Sequence, residues 1–217
     1  MTGYKSWIEP LLEKLHLICE QSIEKKGKCH LMLTGGRSAS ELYKTWVKFL
    51  DSPTQLSNIE FYFGDERCVP SDYINSNYRM VMSDLFPNGI PLGAKLNRMV
   101  AEAADLEVAA DHYSGLLPIE LDVLLLSVGE DGHIASLFPQ SAALHESNRQ
   151  VVPIIAPKAP YQRLTITPKV VQSARHVFVM AIGEQKKAVY EKALYNPEDI
   201  DSLPARLVLN RNWVFGD

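Results

Sequence analysis

A chain of 217 residues is long enough for one large α/β domain or two small ones, and its 46% hydrophobic and 22% charged residues are those of an ordinary globular protein. The net charge of −4, without a Lys/Arg cluster or basic stripe, argues against a nucleic-acid surface but allows an anionic small molecule held by a few basic groups. Three cysteines without metal-ligand spacing read as reduced thiols, the N-terminal stretch lacks a signal-peptide apolar core, and no run approaches the ~20 apolar residues of a membrane span, so a cytoplasmic protein with a single domain over residues 1–217 is expected.

Residues 6–25 carry Trp7, Ile8, Leu11, Leu12, Leu15, Ile18 and Cys19 at helical spacing, and Gly27 ends the helix. Cys29 to Leu33 reads as a short buried strand, Thr34 to Ser38 as a turn, and Ala39 to about Leu50 as a helix with Leu42, Trp46, Val47 and Phe49 inward. Asn58 to Phe63 is the second strand and stops at Gly64-Asp65-Glu66-Arg67, which places charged groups at a strand's carboxyl end. A loop over Val69 to Asn75 and a helix over Asn77 to Leu85 follow, then a short strand over Lys95 to Val100 and a helix from Ala101 to Leu117.

The run Leu121 to Val128 is too short for a span and rich enough in Leu and Val to be a strand buried on both faces. It breaks at Gly129-Glu130-Asp131-Gly132-His133, after which Ile134 to Phe138 lead to Pro139. The chain is then less regular to Asn148. Val151 to Ile155 and Arg163 to Thr167 read as strands, Lys169 to Ser173 as a short helix, His176 to Ile182 as a strand and Glu184 to Tyr195 as a helix, with Leu203 to Leu209 and Trp213 to Phe215 packed in the tail. Strands alternating with helices imply a Rossmann-like α/β sandwich with a mainly parallel sheet and helices on both faces. The third glycine of a dinucleotide fingerprint is missing after Gly35-Gly36, so a nicotinamide cofactor is not expected.

Four places could carry chemistry. The Thr34 to Ser38 turn lets backbone N–H groups at Gly35 and Gly36 approach an anion at a helix N-terminus, with Arg37 and Ser38 adding bonds; it equally reads as a tight turn whose glycines supply positive φ. Asp65 could orient a water or sugar hydroxyl and Arg67 could pair with an anion, unless the triplet is a solvated loop. His133 follows a buried strand through a glycine-rich loop; imidazole, which in its free form titrates near ~6.5, can take a proton from water at neutral pH. Asp131 or another carboxylate could hold its ring, and the spacing of the histidines does not suit a metal. Arg163 opens a strand and Lys186 starts a helix, where a cation opposes the helix dipole unless an anion shares the site; an exposed helix face is the plainer alternative.

Leu33-Thr34-Gly35-Gly36-Arg37-Ser38, Phe63-Gly64-Asp65-Glu66-Arg67 with Val69-Pro70 and Asn77-Tyr78-Arg79-Met80, Val128 to Pro139, Arg163 to Thr167 and Gly183-Glu184-Gln185-Lys186 stand in the order found in 6-phosphogluconolactonases, which the chain resembles over nearly its whole length. The resemblance implies hydrolysis of 6-phospho-D-glucono-1,5-lactone to 6-phosphogluconate, the second step of the oxidative pentose phosphate pathway, and the modified Rossmann sandwich shared with glucosamine-6-phosphate deaminases. It implies no metal or organic cofactor. It makes His133 the base that activates water, and Gly35, Gly36, Arg37, Ser38, Arg67, Arg163 and Lys186 the anion-binding and positioning groups. Two departures stand out: Cys68 where a large apolar residue is common, and Ser127-Val128-Gly129-Glu130 where Gly-x-Gly-Pro is more usual. The rival within the same fold, a glucosamine-6-phosphate isomerase/deaminase, carries a catalytic carboxylate where this chain has Phe138. A non-catalytic sugar-phosphate sensor would keep the anion site but could lose the base.

Overall fold

The computed structural model describes residues 6–50 and 52–217; the part of the N-terminal reading that rests on residues 1–5 lies outside the described residues. In chain order the elements are α1 (Ile8–Lys26), β1 (Cys29–Leu33), α2 (Arg37–Phe49), β2 (Ile59–Phe63), β3 (Asp65–Arg67), α3 (Asn77–Asp84), β4 (Lys95–Leu96), α4 (Leu106–Leu116), β5 (Val123–Ser127), β6 (Val151–Ile155), β7 (Gln162–Ile166), α5 (Pro168–Ser173), β8 (His176–Ile182), α6 (Glu184–Ala193) and β9 (Asn212–Gly216). Among the described residues no helix is long and apolar enough to cross a membrane.

Six strands form a parallel sheet in the order β4-β2-β1-β5-β8-β9. The chain winds outward from β1 through β2 to β4, then returns to β5 on the other side of β1 and winds outward again. Such a reversal opens a crevice beyond the carboxyl ends of the two central strands. Here those ends deliver Thr34 and Val128. The four residues Val123 to Leu126 are fully buried, as the unbroken apolar run requires of a strand covered on both faces.

A second, antiparallel sheet in the order β3-β7-β6 stands beside the first. Gly64 is the corner between them: its N–H donates to Leu33 O at 3.0 Å, and its carbonyl accepts from Ile166 N at 2.9 Å. The Asp65-Glu66-Arg67 triplet, expected as a charged strand end, is therefore itself a strand, set by pairing with β7. Three other expectations shift. Strand β4 is two residues long, and the helix expected from Ala101 starts at Leu106, because the Asp105 side chain accepts from the N–H groups of Glu107 and Val108 at 2.9 and 3.1 Å and caps it there. The tail supplies β9, which extends the parallel sheet at its edge.

Helix packing follows the sequence pattern. Leu11, Leu12 and Leu15 of α1 and Leu42 and Trp46 of α2 are buried, and Trp46 Nε1 donates to His16 Nε2 at 2.8 Å to tie the two helices. Gly27 ends α1 in the left-handed conformation with φ 81°, where a side chain would be strained.

Candidate active site

The crevice between β1 and β5 holds a pocket of about 130 Å³. Its wall is Thr34, Gly35 and Gly36 from the β1–α2 turn, Asp65 and Arg67 from β3, Ser127 to Gly129 at the end of β5, His133 and Ala135 just beyond, Arg163 from β7 and Lys186 from α6. Lys186 also borders an adjoining cavity of about 390 Å³ whose wall includes Arg37, Ser38, Glu41, Glu130, Gly183 and Gln185. The structure thus gathers Gly35, Gly36, Asp65, Arg67, His133, Arg163 and Lys186 into one pocket and sets Arg37 and Ser38 in its neighbour. A larger hollow of about 690 Å³ runs along β6 and residues 138–143. Its cation, Arg149, is already paired with Glu107 at 2.7 Å and Asp111 at 3.1 Å, which leaves that hollow without the converging unpaired charges of the crevice.

The loop after β5 is shaped by its own backbone. Gly129 N donates to His133 O at 2.8 Å, and Gly132 N donates to Gly129 O at 3.0 Å. Gly132 has φ 81°, so the turn favours glycine there, and a Cβ would also meet the Leu203 side chain. This closure brings His133 Nδ1 onto Asp131 Oδ1 in a short contact, with the His133 N–H reaching the same oxygen at 3.3 Å. The imidazole is 15% exposed, and one face stacks on Phe138 with ring centroids 4.5 Å apart at 28°. With Nδ1 taken by a carboxylate, Nε2 is the ring nitrogen left outside that contact, and the contact favours the tautomer with its proton on Nδ1. Burial works to raise the Asp131 carboxyl, but the hydrogen bond and charge of His133, with a smaller contribution from Lys158, outweigh it and hold the group at about 2.

Across the second sheet, Arg67 of β3 lies directly opposite Arg163 of β7. Like charges in that register repel, so the pairing favours an anion between them. Arg67 Nη1 donates to Asn75 O at 2.6 Å, while its Nε is buried without a hydrogen-bond partner among the described residues. Arg163, 4% exposed, donates from Nε to Pro160 O at 3.0 Å and from Nη1 to Ser136 Oγ at 3.4 Å. Burial pushes the Lys186 ammonium down, and the charge of Arg37 adds to that, against Glu130. Both α2 and α6 begin at a glycine with positive φ, Gly36 at 97° and Gly183 at 93°, and neither has a side-chain cap among the described residues. The starts of α2 and α6 therefore border the adjoining cavity together with Arg37 and Lys186, and Lys186 stands between the two cavities.

The two acids of the triplet have different work. Asp65, expected to orient a water or sugar hydroxyl, has both oxygens engaged: Oδ2 accepts from Ser136 Oγ at 2.6 Å and Oδ1 from Asn77 Nδ2 at 3.0 Å. Glu66 is buried and accepts from the N–H groups of Arg67, Asn77 and Tyr78 at 2.7, 2.8 and 2.7 Å and from Ser76 Oγ at 3.1 Å, which pins the start of α3 to β3. Reasoning from the sequence missed Glu66, Asn77, Ser136 and Lys158 as parts of the site. For Asn77 and Ser136 the available signal was membership of the ordered motifs; for the buried role of Glu66 and the contact of Lys158 no local signal exists.

Residues 5–215 match the family described as glucosamine-6-phosphate isomerases/6-phosphogluconolactonase. The chain is 36% identical over 200 residues to a 6-phosphogluconolactonase of Pseudomonas aeruginosa, covering 87% of this chain and 80% of that protein. It is 32% identical to one from Pseudomonas putida, covering 87% and 79%. Among solved structures, a 6-phosphogluconolactonase from Shewanella baltica superposes with a TM-score of 0.85 at 27% identity, covering 97% of this chain and 92% of that one. The 6-phosphogluconolactonase from Trypanosoma brucei gives 0.84 at 26% identity, covering 98% and 92%.

Proposed function

The chain belongs to the glucosamine-6-phosphate isomerase/6-phosphogluconolactonase family, and from that membership we propose that it is a 6-phosphogluconolactonase. On this reading, residues 1–217 act as one α/β unit in the cytoplasm and hydrolyse 6-phospho-D-glucono-1,5-lactone to 6-phospho-D-gluconate in the oxidative pentose phosphate pathway. The observation that carries the choice within the family is the side chain at position 138. A ring-opening isomerase needs a second carboxylate beside the imidazole, whereas here Phe138 lies flat against His133.

The phosphate is held at the shared wall of the two cavities by Lys186, Arg37, Ser38 and the N–H groups at Gly35 and Gly36, with Arg67 and Arg163 completing the cationic surround. Fixing the phosphate places the lactone carbonyl within reach of a water on His133 Nε2. His133 takes one proton from that water as its oxygen bonds to the carbonyl carbon, and Asp131 stabilises the imidazolium through Nδ1. The carbonyl oxygen gains the electron pair, which the cationic surround stabilises. Collapse of the tetrahedral species restores the carbonyl, breaks the bond to the ring oxygen, and returns the proton from His133 to that oxygen. Asp65 holds Ser136 and Asn77 in place around the reactants.

The test is lactone opening at slightly acidic pH, with 6-phosphogluconolactone generated in situ and glucosamine 6-phosphate run in parallel. Enzyme-dependent lactone loss without ammonia release is the expected outcome. Ammonia release would overturn the reading of Phe138, and binding of 6-phosphogluconate without either turnover would favour a sensor.

A further inference from the structure

The segment joining β6 to β7 lies outside the glycine-rich loop yet reaches over it. Lys158 in that segment has Nζ 3.9 Å from Asp131 Oδ2, the oxygen opposite the one that meets His133. The same ammonium lies 5.7 Å from the centroid of the Phe138 ring, and Arg163 Cζ lies 5.3 Å from it. One aromatic ring therefore backs the imidazole and steadies two cations, and one carboxylate bridges the imidazole and Lys158.

We propose that Lys158 is a positioning residue of the reaction centre, holding the Asp131 carboxylate in the plane that keeps Oδ1 on His133 Nδ1. The inference rests on the lactonase reading for its kinetic consequence only. A carboxylate held at one oxygen turns about its Cβ–Cγ bond, and a cation on the second oxygen opposes that turn. Its charge also matters. The groups facing the His133–Asp131 pair are Lys158 from the β6–β7 segment, Arg163 from β7, Asp65 and Arg67 from β3, Lys186 from α6 and Glu130 from the loop itself. Taking one cation from this set favours the protonated pair, so the acid limb of the rate profile moves to higher pH. Lys158 is half-exposed, so solvent screens it and the shift is about half a pH unit at low salt, shrinking as salt is added.

The test compares wild type with K158M, K158R and D131N, and K158M made in the D131N background, all in the full chain. K158M lowers kcat about three- to tenfold, leaves KM within twofold and moves the acid limb upward, while K158R restores both. If Lys158 acts through Asp131, K158M has no further effect once Asp131 is Asn. A second readout needs no substrate: the downfield NMR resonance of the proton between His133 and Asp131 weakens in K158M and returns in K158R. A rise in KM with kcat and the acid limb unchanged would overturn the proposal and make Lys158 a substrate contact. So would full additivity with D131N, or an unchanged NMR resonance. A wild-type chain without lactonase activity sinks the functional reading alone, and the resonance then decides the positioning role by itself.

Discussion

The ring of His133 occupies the space where a side chain at Gly129 would stand. A Cβ built on Gly129 overlaps the ring at Nδ1 and comes 2.6 Å from Asp131 Oδ1. Glycine is required here by close approach, since Gly129 does not have positive φ and alanine suits its backbone. G129A is therefore expected to fold with a melting temperature lowered by a few degrees, because the added Cβ displaces a packed imidazole. A misplacement of about 1 Å at a reacting group costs on the order of a hundredfold, so kcat should fall by about that factor. Parallel thermal melts and turnover assays check it; loss of both together would place the main effect of Gly129 in folding.

Removal of the base itself gives a different signature. H133A is expected to lose about 10²- to 10⁴-fold in turnover while binding 6-phosphogluconate with nearly wild-type affinity, because the anion groups lie on other elements. Calorimetric titration of the product against both proteins separates the two effects. Wild-type turnover in H133A would show the assigned base to be wrong.

The Asp131 carboxyl sets a lower bound to the pH range. Its folded value of about 2 lies below the ordinary 3.8, so it favours the folded state above the ordinary value, and that contribution is lost as pH falls towards 2. Above about pH 4 the group stays ionised in the folded protein. D131N should lower the plateau of kcat/KM, because the imidazolium formed during turnover then loses its anionic partner. A plateau equal to that of wild type would show that Asp131 does not act on the reaction centre.

Glu66 is a structural acid. E66Q keeps the shape but replaces one acceptor oxygen by an amide NH₂, which opposes one of the N–H donors that start α3. Breaking a buried charge-assisted hydrogen bond and leaving a donor unmatched costs about 2–3 kcal/mol, so the urea midpoint should fall at unchanged m-value. A midpoint equal to wild type would mean the amide finds an alternative partner set.

The facing arginines separate affinity from stability. R67M removes cross-strand repulsion but also the bond to Asn75 O, so the melting temperature should change little. KM for the phosphorylated lactone should rise at least about tenfold, and the salt dependence of kcat/KM should weaken. Unchanged KM with a lower melting temperature would make Arg67 a structural residue.

Much of the frame was legible without coordinates. The run from Leu121 to Val128 reads as a doubly buried strand because a parallel strand covered on both faces has no polar side to interrupt it, and the break at Gly129 follows from the turn that must come next. Helices α1, α2 and α6 carry their period in a few turns of contiguous sequence, so local pattern sufficed within a few residues at each end. The ordered motifs also named His133, Arg67, Arg163 and Lys186. They could not say that Arg67 faces Arg163, that Glu66 is buried beneath α3, or that Lys158 reaches Asp131. Those relationships join residues distant in the chain, and the pairing of β3 with β7 brings three charged residues into a sheet against their local preference. Charge and hydrogen-bond partners act through space at a few ångströms, so only the folded arrangement decides which of the named residues share a pocket and which hold the others still.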